Sequence, residues 1–198
     1  MDTLARMQVD LDGYRFRLIG DAGPVLTAVQ TALVGNGAHA AAGPVNLLIV
    51  STPLLPEGAP FDAGATMTAV AEAGEAMVAQ GSGRIVFLLS ALAGLPMRRH
   101  VEYSAAMAGA VARMRGLAMR LAPKVLVNAV GAGVIEDAGG AVLAGDPRML
   151  SHASLGRAGA IEDVTNAVLF LCDPLNSYTT GQLLTVDGGW SVGYGRNF

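Results

Sequence analysis

Tyr103 opens an apolar helical stretch, "VEYSAAMAGAVARMRGLAMRLAP" (101–123), and Ser90 closes an apolar run thirteen residues before it. A hydroxyl and a phenol in this order are candidates for acid–base work, provided the phenol can release its proton. With a reference pKa near 10, only about one tyrosine in a thousand is ionised at neutral pH unless a neighbouring cation lowers that value. The position one helical turn beyond the tyrosine is Met107, whose thioether carries no charge. The outline of a proton-transfer site is therefore present without its cation.

The other polar residues point to less. His39, His100 and His152 are isolated and lack metal-ligand spacing, so each reads as a surface or loop residue and no metal site is expected. Cys172 is the single cysteine, which excludes an internal disulfide and a cysteine cage, and it reads as a small apolar helix residue. Arg113 and Arg120 lie seven apart on one helical face, the pattern of a solvated or intersubunit salt-bridging stripe. The run "MRRH" (97–100) reads as a solvated turn, with an acidic ligand or a partner's carboxylates as the alternative.

These residues need a scaffold, and the composition supplies one. The chain has 198 residues, 52% hydrophobic and 15% charged, enough to bury a sizeable core, and a single domain over 1–198 is expected. A net charge of −3 leaves no basic surplus for nucleic acid or an anionic membrane surface. Residues 22–56 carry no charge, but glycines and prolines cut them into pieces far shorter than the ~20 residues of a membrane span. The start, "MDTLARMQVDLDGYRFRL", lacks the apolar region of a signal peptide, and a cytoplasmic location is the expectation.

Apolar runs at 14–20, 45–52, 84–90, 125–131 and 182–189 alternate with helical patterns at 25–37, 65–81, 103–121 and 161–173. That alternation predicts an α/β fold, and nearly continuous apolarity predicts parallel strands buried on both faces. The helix at 103–121 is apolar almost all round, so it requires cover from the sheet, a neighbouring helix or another subunit. Residues 137–159 are Gly-rich and predict a long loop with one short helix.

The stretches "GSGRIVFLLSALAG", Tyr103, "LAPKVLVNAVGAGVIE" and "LGRAGAIEDVTNAVLFLCDPLNSYTTGQLLTVDGGW" resemble, in order and spacing, the short-chain dehydrogenase/reductase family over residues 81–190. The resemblance implies a Rossmann-like, doubly wound parallel sheet, NAD(P) held by a first-turn glycine motif, and chemistry by Ser, Tyr, Lys and usually Asn. Ser90 and Tyr103 keep their places, whereas Met107 stands where the family has its lysine. Asp62 aligns with the family's asparagine, and Val50, Ser51, Thr52 and Pro53 occupy its "NNAG" position.

In the glycine turn, Gly20 falls at the first glycine, Pro24 at the second and Leu26 at the third. Proline has no N–H to offer a phosphate, leucine obstructs close packing, and the Asp21 carboxylate repels an anion. In the segment after the fifth strand, Ala132 replaces a proline, Gly133 and Ile135 remain, and Asp137 stands where a threonine would bond the cofactor. Between residues 40 and 43 the chain omits about 40–50 residues, the size of about two βα units, which carry the adenosine pocket in the family.

The family's assembly segments remain legible: helices at 65–81 and 103–121 for one dimer contact, and the helix at 161–173 with the strand at 182–187 for the other. The resemblance therefore implies a non-catalytic subunit with no cofactor of its own, assembled as a heterotetramer with an active homologue that binds NAD or NADP. Two alternatives stand beside it. One is an active NAD(P)-dependent carbonyl or hydroxyacyl oxidoreductase using Ser90 and Tyr103, with Arg98 or Arg99 as substitute cation. The other is a homo-oligomeric ligand-binding or regulatory module.

Overall fold

A computed structural model of the chain describes residues 7–57 and 63–192. Its elements in chain order are β1 (Arg15–Gly20), α1 (Pro24–Gly35), β2 (His39–Ala40), β3 (Leu47–Ser51), α2 (Ala63–Gln80), β4 (Gly83–Ser90) and α3 (Val101–Leu121). There follow β5 (Val125–Ala132), β6 (Ile135–Glu136), β7 (Val142–Ala144), β8 (Gly159–Ala160), α4 (Ile161–Cys172) and β9 (Leu183–Val186). Six strands form one parallel sheet in the order β2-β1-β3-β4-β5-β9, the α/β architecture expected.

Strand alternation divides the core into two layers. Leu47, Ile49, Val86, Leu88 and Val130 face α1 and α4, where they meet Val29, Leu33, Val164 and Val168. Leu48, Val50, Ile85, Phe87 and Val127 face α2 and α3, where they meet Val70, Met77, Met114 and Leu121. β3, β4 and β5 are buried along nearly their whole length, which is why their sequences read as unbroken apolar runs.

On α3 the buried residues Ser104, Met107, Ala110, Val111, Met114, Leu117, Ala118 and Leu121 recur at helical spacing and form a single stripe. Within this chain only that stripe is covered. The opposite face presents alanines, Arg113, Arg115, Arg120 and Met119, the last 78% exposed. Among the described residues, no helix is long and apolar enough to cross a membrane.

Two local features escaped sequence reading. β2 is a two-residue strand paired only with Arg15 and Phe16, too short to leave a periodic signal. It is short because no helix follows it: residues 41–46 turn straight back beneath β1, where Asn46 exchanges hydrogen bonds with Arg15, and enter β3 on the far side. The predicted loop at 137–159 contains a short helix at Pro147–Ser151, as expected, but also β6, β7 and β8 in a small second sheet.

β1 and β3 converge at their carboxyl ends. Gly20 has a φ of 102°, and a Cβ placed on it would lie 1.9 Å from the Ser51 carbonyl oxygen. The glycine is thus required by strand packing itself. Gly20→Ala is expected to destabilise the fold by about 2–4 kcal/mol, read as a lower urea midpoint at unchanged slope. An unchanged midpoint would show that the two strand ends can separate freely.

Candidate functional site

The carboxyl ends of β1, β3 and β4 and the first turn of α3 converge on residues 51–54. The Asp21 amide donates to the Ser51 carbonyl at 3.0 Å, and the Thr52 amide donates to the Leu88 carbonyl at 3.1 Å. The Tyr103 hydroxyl donates to the Pro53 carbonyl at 2.5 Å. The Gly145 amide, just beyond β7, donates to the Leu54 carbonyl at 3.0 Å. Segment 51–54 is thereby tied across the edge of the sheet.

Ser90 and Tyr103 are brought together as their spacing predicts, but both are engaged. Ser90 is fully buried, and its Oγ accepts from the Leu92 amide at 3.3 Å. Burial raises the Tyr103 phenol above its ordinary pKa; the Ser90 hydroxyl opposes this and the Asp21 carboxylate adds to it. An active phenol needs the opposite shift.

Met107 is fully buried in the α2/α3 layer. Its sulfur lies 3.5 Å from Thr52 Oγ1, which also sits 3.0 Å from the Leu88 carbonyl oxygen. The sequence contains one lysine, Lys124, and its carbonyl accepts from Gly83 at the opposite, amino end of the sheet. Asp62, the residue aligned with a catalytic asparagine, lies outside the described residues.

The strand-to-helix turn does not fit a dinucleotide pyrophosphate. Gly23 caps α1 without a side-chain bond, Pro24 occupies the first turn without an N–H, and Leu26, only 7% exposed, packs with Val25 and Leu54 in the core. What remains is a cavity of about 230 Å³ walled by Asp21, Pro24, Leu26, Ser51, Leu54 and Leu143. β2 stops at the level of Phe16, four residues before β1 ends, so it falls about 13 Å short of this cavity. Asp137 is elsewhere: its Oδ1 accepts from the Gly139 and Ala141 amides at 2.8 and 2.9 Å in the β6–β7 turn. These bonds make Asp137 a turn-capping residue held by donors of its own loop.

Sequence reading missed one polar cluster. His100, expected to be solvated, places Nε2 2.9 Å from Oδ2 of Asp146, which is 3% exposed. Arg148 meets the same carboxylate through its amide at 2.9 Å and Nη1 at 3.0 Å. Burial would raise the Asp146 pKa, yet the Arg148 amide, His100 and the Arg148 charge together hold it below its ordinary value. The Glu57 carboxylate also approaches His100 and Asp146. Asp146 caps the short helix at Pro147–Ser151, and its partner His100 lies 46 residues away in the chain, beyond the reach of local pattern.

Two predictions follow from the shifted groups. The folded chain keeps the Tyr103 proton where the unfolded chain has lost it, so this contribution to stability is present below about pH 10 and lost as pH rises. An ultraviolet titration should show one phenol ionising after the others, and Tyr103→Phe should remove that late step; an unchanged profile would contradict the assignment. Asp146 contributes in the other direction, with stability present above its ordinary pKa of 3.8 and lost as pH falls through the lower folded value. Asp146→Asn is expected to cost about 2–3 kcal/mol at neutral pH and to flatten the acid limb of the stability curve. An acid limb like that of the unaltered chain would count against the buried pairing.

Comparison with known proteins agrees with this fold. Residues 62–191 match the family described as enoyl-(acyl carrier protein) reductase. A 3-oxoacyl-[acyl-carrier-protein] reductase of Aquifex aeolicus is 42% identical over 116 residues, 57% of this chain and 47% of that protein. The 7alpha-hydroxysteroid dehydrogenase of Escherichia coli K12 is 34% identical over 117 residues, 57% of this chain and 46% of that protein. The matches span about half the length of these relatives. A short-chain dehydrogenase/reductase structure from Mycobacterium ulcerans superposes with a TM-score of 0.75 at 18% identity, over 96% of this chain and 94% of that one. The parallel sheet, the Ser90–Tyr103 placement and the matched segment together place the chain in the short-chain dehydrogenase/reductase family of oxidoreductases.

Proposed function

We propose that this chain is a non-catalytic short-chain dehydrogenase-like subunit that assembles with an active, NAD(P)-dependent homologue and supports it. The observation that carries the reading is the state of Tyr103: its hydroxyl is given to the Pro53 carbonyl, its pKa is raised by burial, and Met107 lies one turn on. An acid–base tyrosine must be free to exchange its proton with substrate, and this one has a structural partner instead. Leu26 and Pro24 favour the same reading, since both remove what a phosphate needs at the start of α1.

The assembly half of the proposal rests on apolar groups that the chain leaves uncovered. Leu175 is 90% exposed and Tyr178 fully exposed beyond α4, near the edge strand β9, while Met119 projects from the open face of α3. Covering such groups with another protein surface would remove apolar area from water. The partner supplies the nicotinamide cofactor, and its substrate is the substrate of the complex.

Calorimetric titration of the purified chain with NADH and NADPH should give no binding heat, whereas dissociation constants of about 1 mM or tighter would overturn the redox-silent assignment. Coexpression with an active short-chain dehydrogenase of the same cell should yield one mixed oligomer whose activity falls when this chain is withheld. Separate elution, with the dehydrogenase fully active alone, would defeat the subunit reading.

A further inference from the structure

Of the "MRRH" run only His100 has a role in the site above, and the fold gives the rest of it one. Residues 95–99 form one wall of a cavity of about 680 Å³, Arg148 and His152 form another, and Trp190 lies between them. Neither Ser90 nor Tyr103 is a wall residue. The volume falls within the ~300–1,000 Å³ typical of small-molecule sites.

The walls are built rather than incidental. The Met97 amide donates to Ser104 Oγ at 3.2 Å, and the His100 amide donates to the Met97 carbonyl at 3.0 Å, which fixes the arginine turn against α3. Across the cavity, buried Asp146 binds both His100 and Arg148, so one carboxylate ties the two walls together. Trp190, 7% exposed, packs with Leu92 and Met149 and with Met97, giving the cavity an apolar floor.

Charge is distributed unevenly around this space. The chain as a whole carries −3, yet Arg98, Arg99 and Arg148 converge here. Asp146 already shares its charge between His100 and Arg148, and Glu57 lies beside that pair without forming a wall. Among the described residues, Arg98 and Arg99 are exposed and engage in no ion pair or hydrogen bond. Two unengaged guanidiniums above an apolar floor match an anion carried on an apolar body. Forked donors favour phosphate, whose several oxygens can accept from both at once.

We infer that the cavity between residues 95–99 and 148–152 is a binding site for a small organic phosphate, with its phosphate on Arg98 and Arg99 and its apolar group toward Met97 and Trp190. The site does not depend on redox activity, so it stands whether or not the subunit reading holds.

Trp190 is the only tryptophan in the sequence and lines this cavity, so tryptophan emission reports on it. The full-length chain is titrated with hexyl phosphate, inorganic phosphate and hexanol. Hexyl phosphate should change the emission saturably, inorganic phosphate should bind more weakly, hexanol should have no saturable effect, and added salt should weaken the phosphate ester. The double variant Arg98→Ala/Arg99→Ala, whose side chains have no structural partner, should keep the circular-dichroism spectrum and raise the dissociation constant at least about tenfold. Arg113→Ala, elsewhere on α3, should leave it unchanged. No saturable change, equal affinity for hexanol or inorganic phosphate, or a dissociation constant insensitive to the double variant would each overturn the assignment.

Discussion

Four consecutive residues, Ser51 to Leu54, are each hydrogen-bonded to a different part of the fold: the turn after β1, strand β4, helix α3 and the loop after β7. Each bond is worth only about 1 kcal/mol net, but together they hold a loop across the carboxyl edge of a parallel sheet. In this architecture that edge is where ligands reach the strand ends. The arrangement has a chemical consequence, because one of the four donors is the phenol that a short-chain dehydrogenase would use on its substrate. Stability of the edge and availability of the proton compete for one hydroxyl group.

The second constraint is topological. A parallel neighbour of β1 must be entered from the same end as β1, so a full-length β2 followed by β3 needs a crossover long enough to return the chain along the sheet. Here the return is made in residues 41–46, and β2 is consequently held to two residues at the level of Phe16. The wall that would rise beside the β1–α1 turn is absent among the described residues. The cavity left above β1 is walled in part by Leu26, Leu54 and Leu143. Loss of the crossover, proline and leucine in the turn, and methionine one turn after the tyrosine thus act on the same cleft.

A different balance holds around Trp190. The carboxylate of Asp146 is buried, yet the Arg148 amide, His100 and the Arg148 guanidinium keep it charged, and it binds the loop before α3 to the loop after β7. That spends one cation and leaves Arg98 and Arg99 unengaged, so a protein of net negative charge presents a local positive cavity. Charge is thus unevenly placed: Asp21 stands at the cleft next to β1, and Arg98, Arg99 and Arg148 stand at the cavity beside Trp190.

The sequence by itself determined the strands and helices of both layers, because unbroken apolar runs and a helical stripe such as Met107, Val111 and Met114 follow from burial alone. It also determined that methionine follows Tyr103 by one turn and that proline and leucine stand at positions 24 and 26, which are matters of residue type. It did not reveal β2 or β6–β8, which are too short for any period to register, and it placed His100 in solvent. Only the tertiary structure decided where the Tyr103 proton goes, that Asp137 serves its own turn, and that Asp146 joins His100 to Arg148. The reason is that local pattern encodes which face of an element is buried. The partner of a buried polar atom is set by how elements far apart in the chain come to rest against one another.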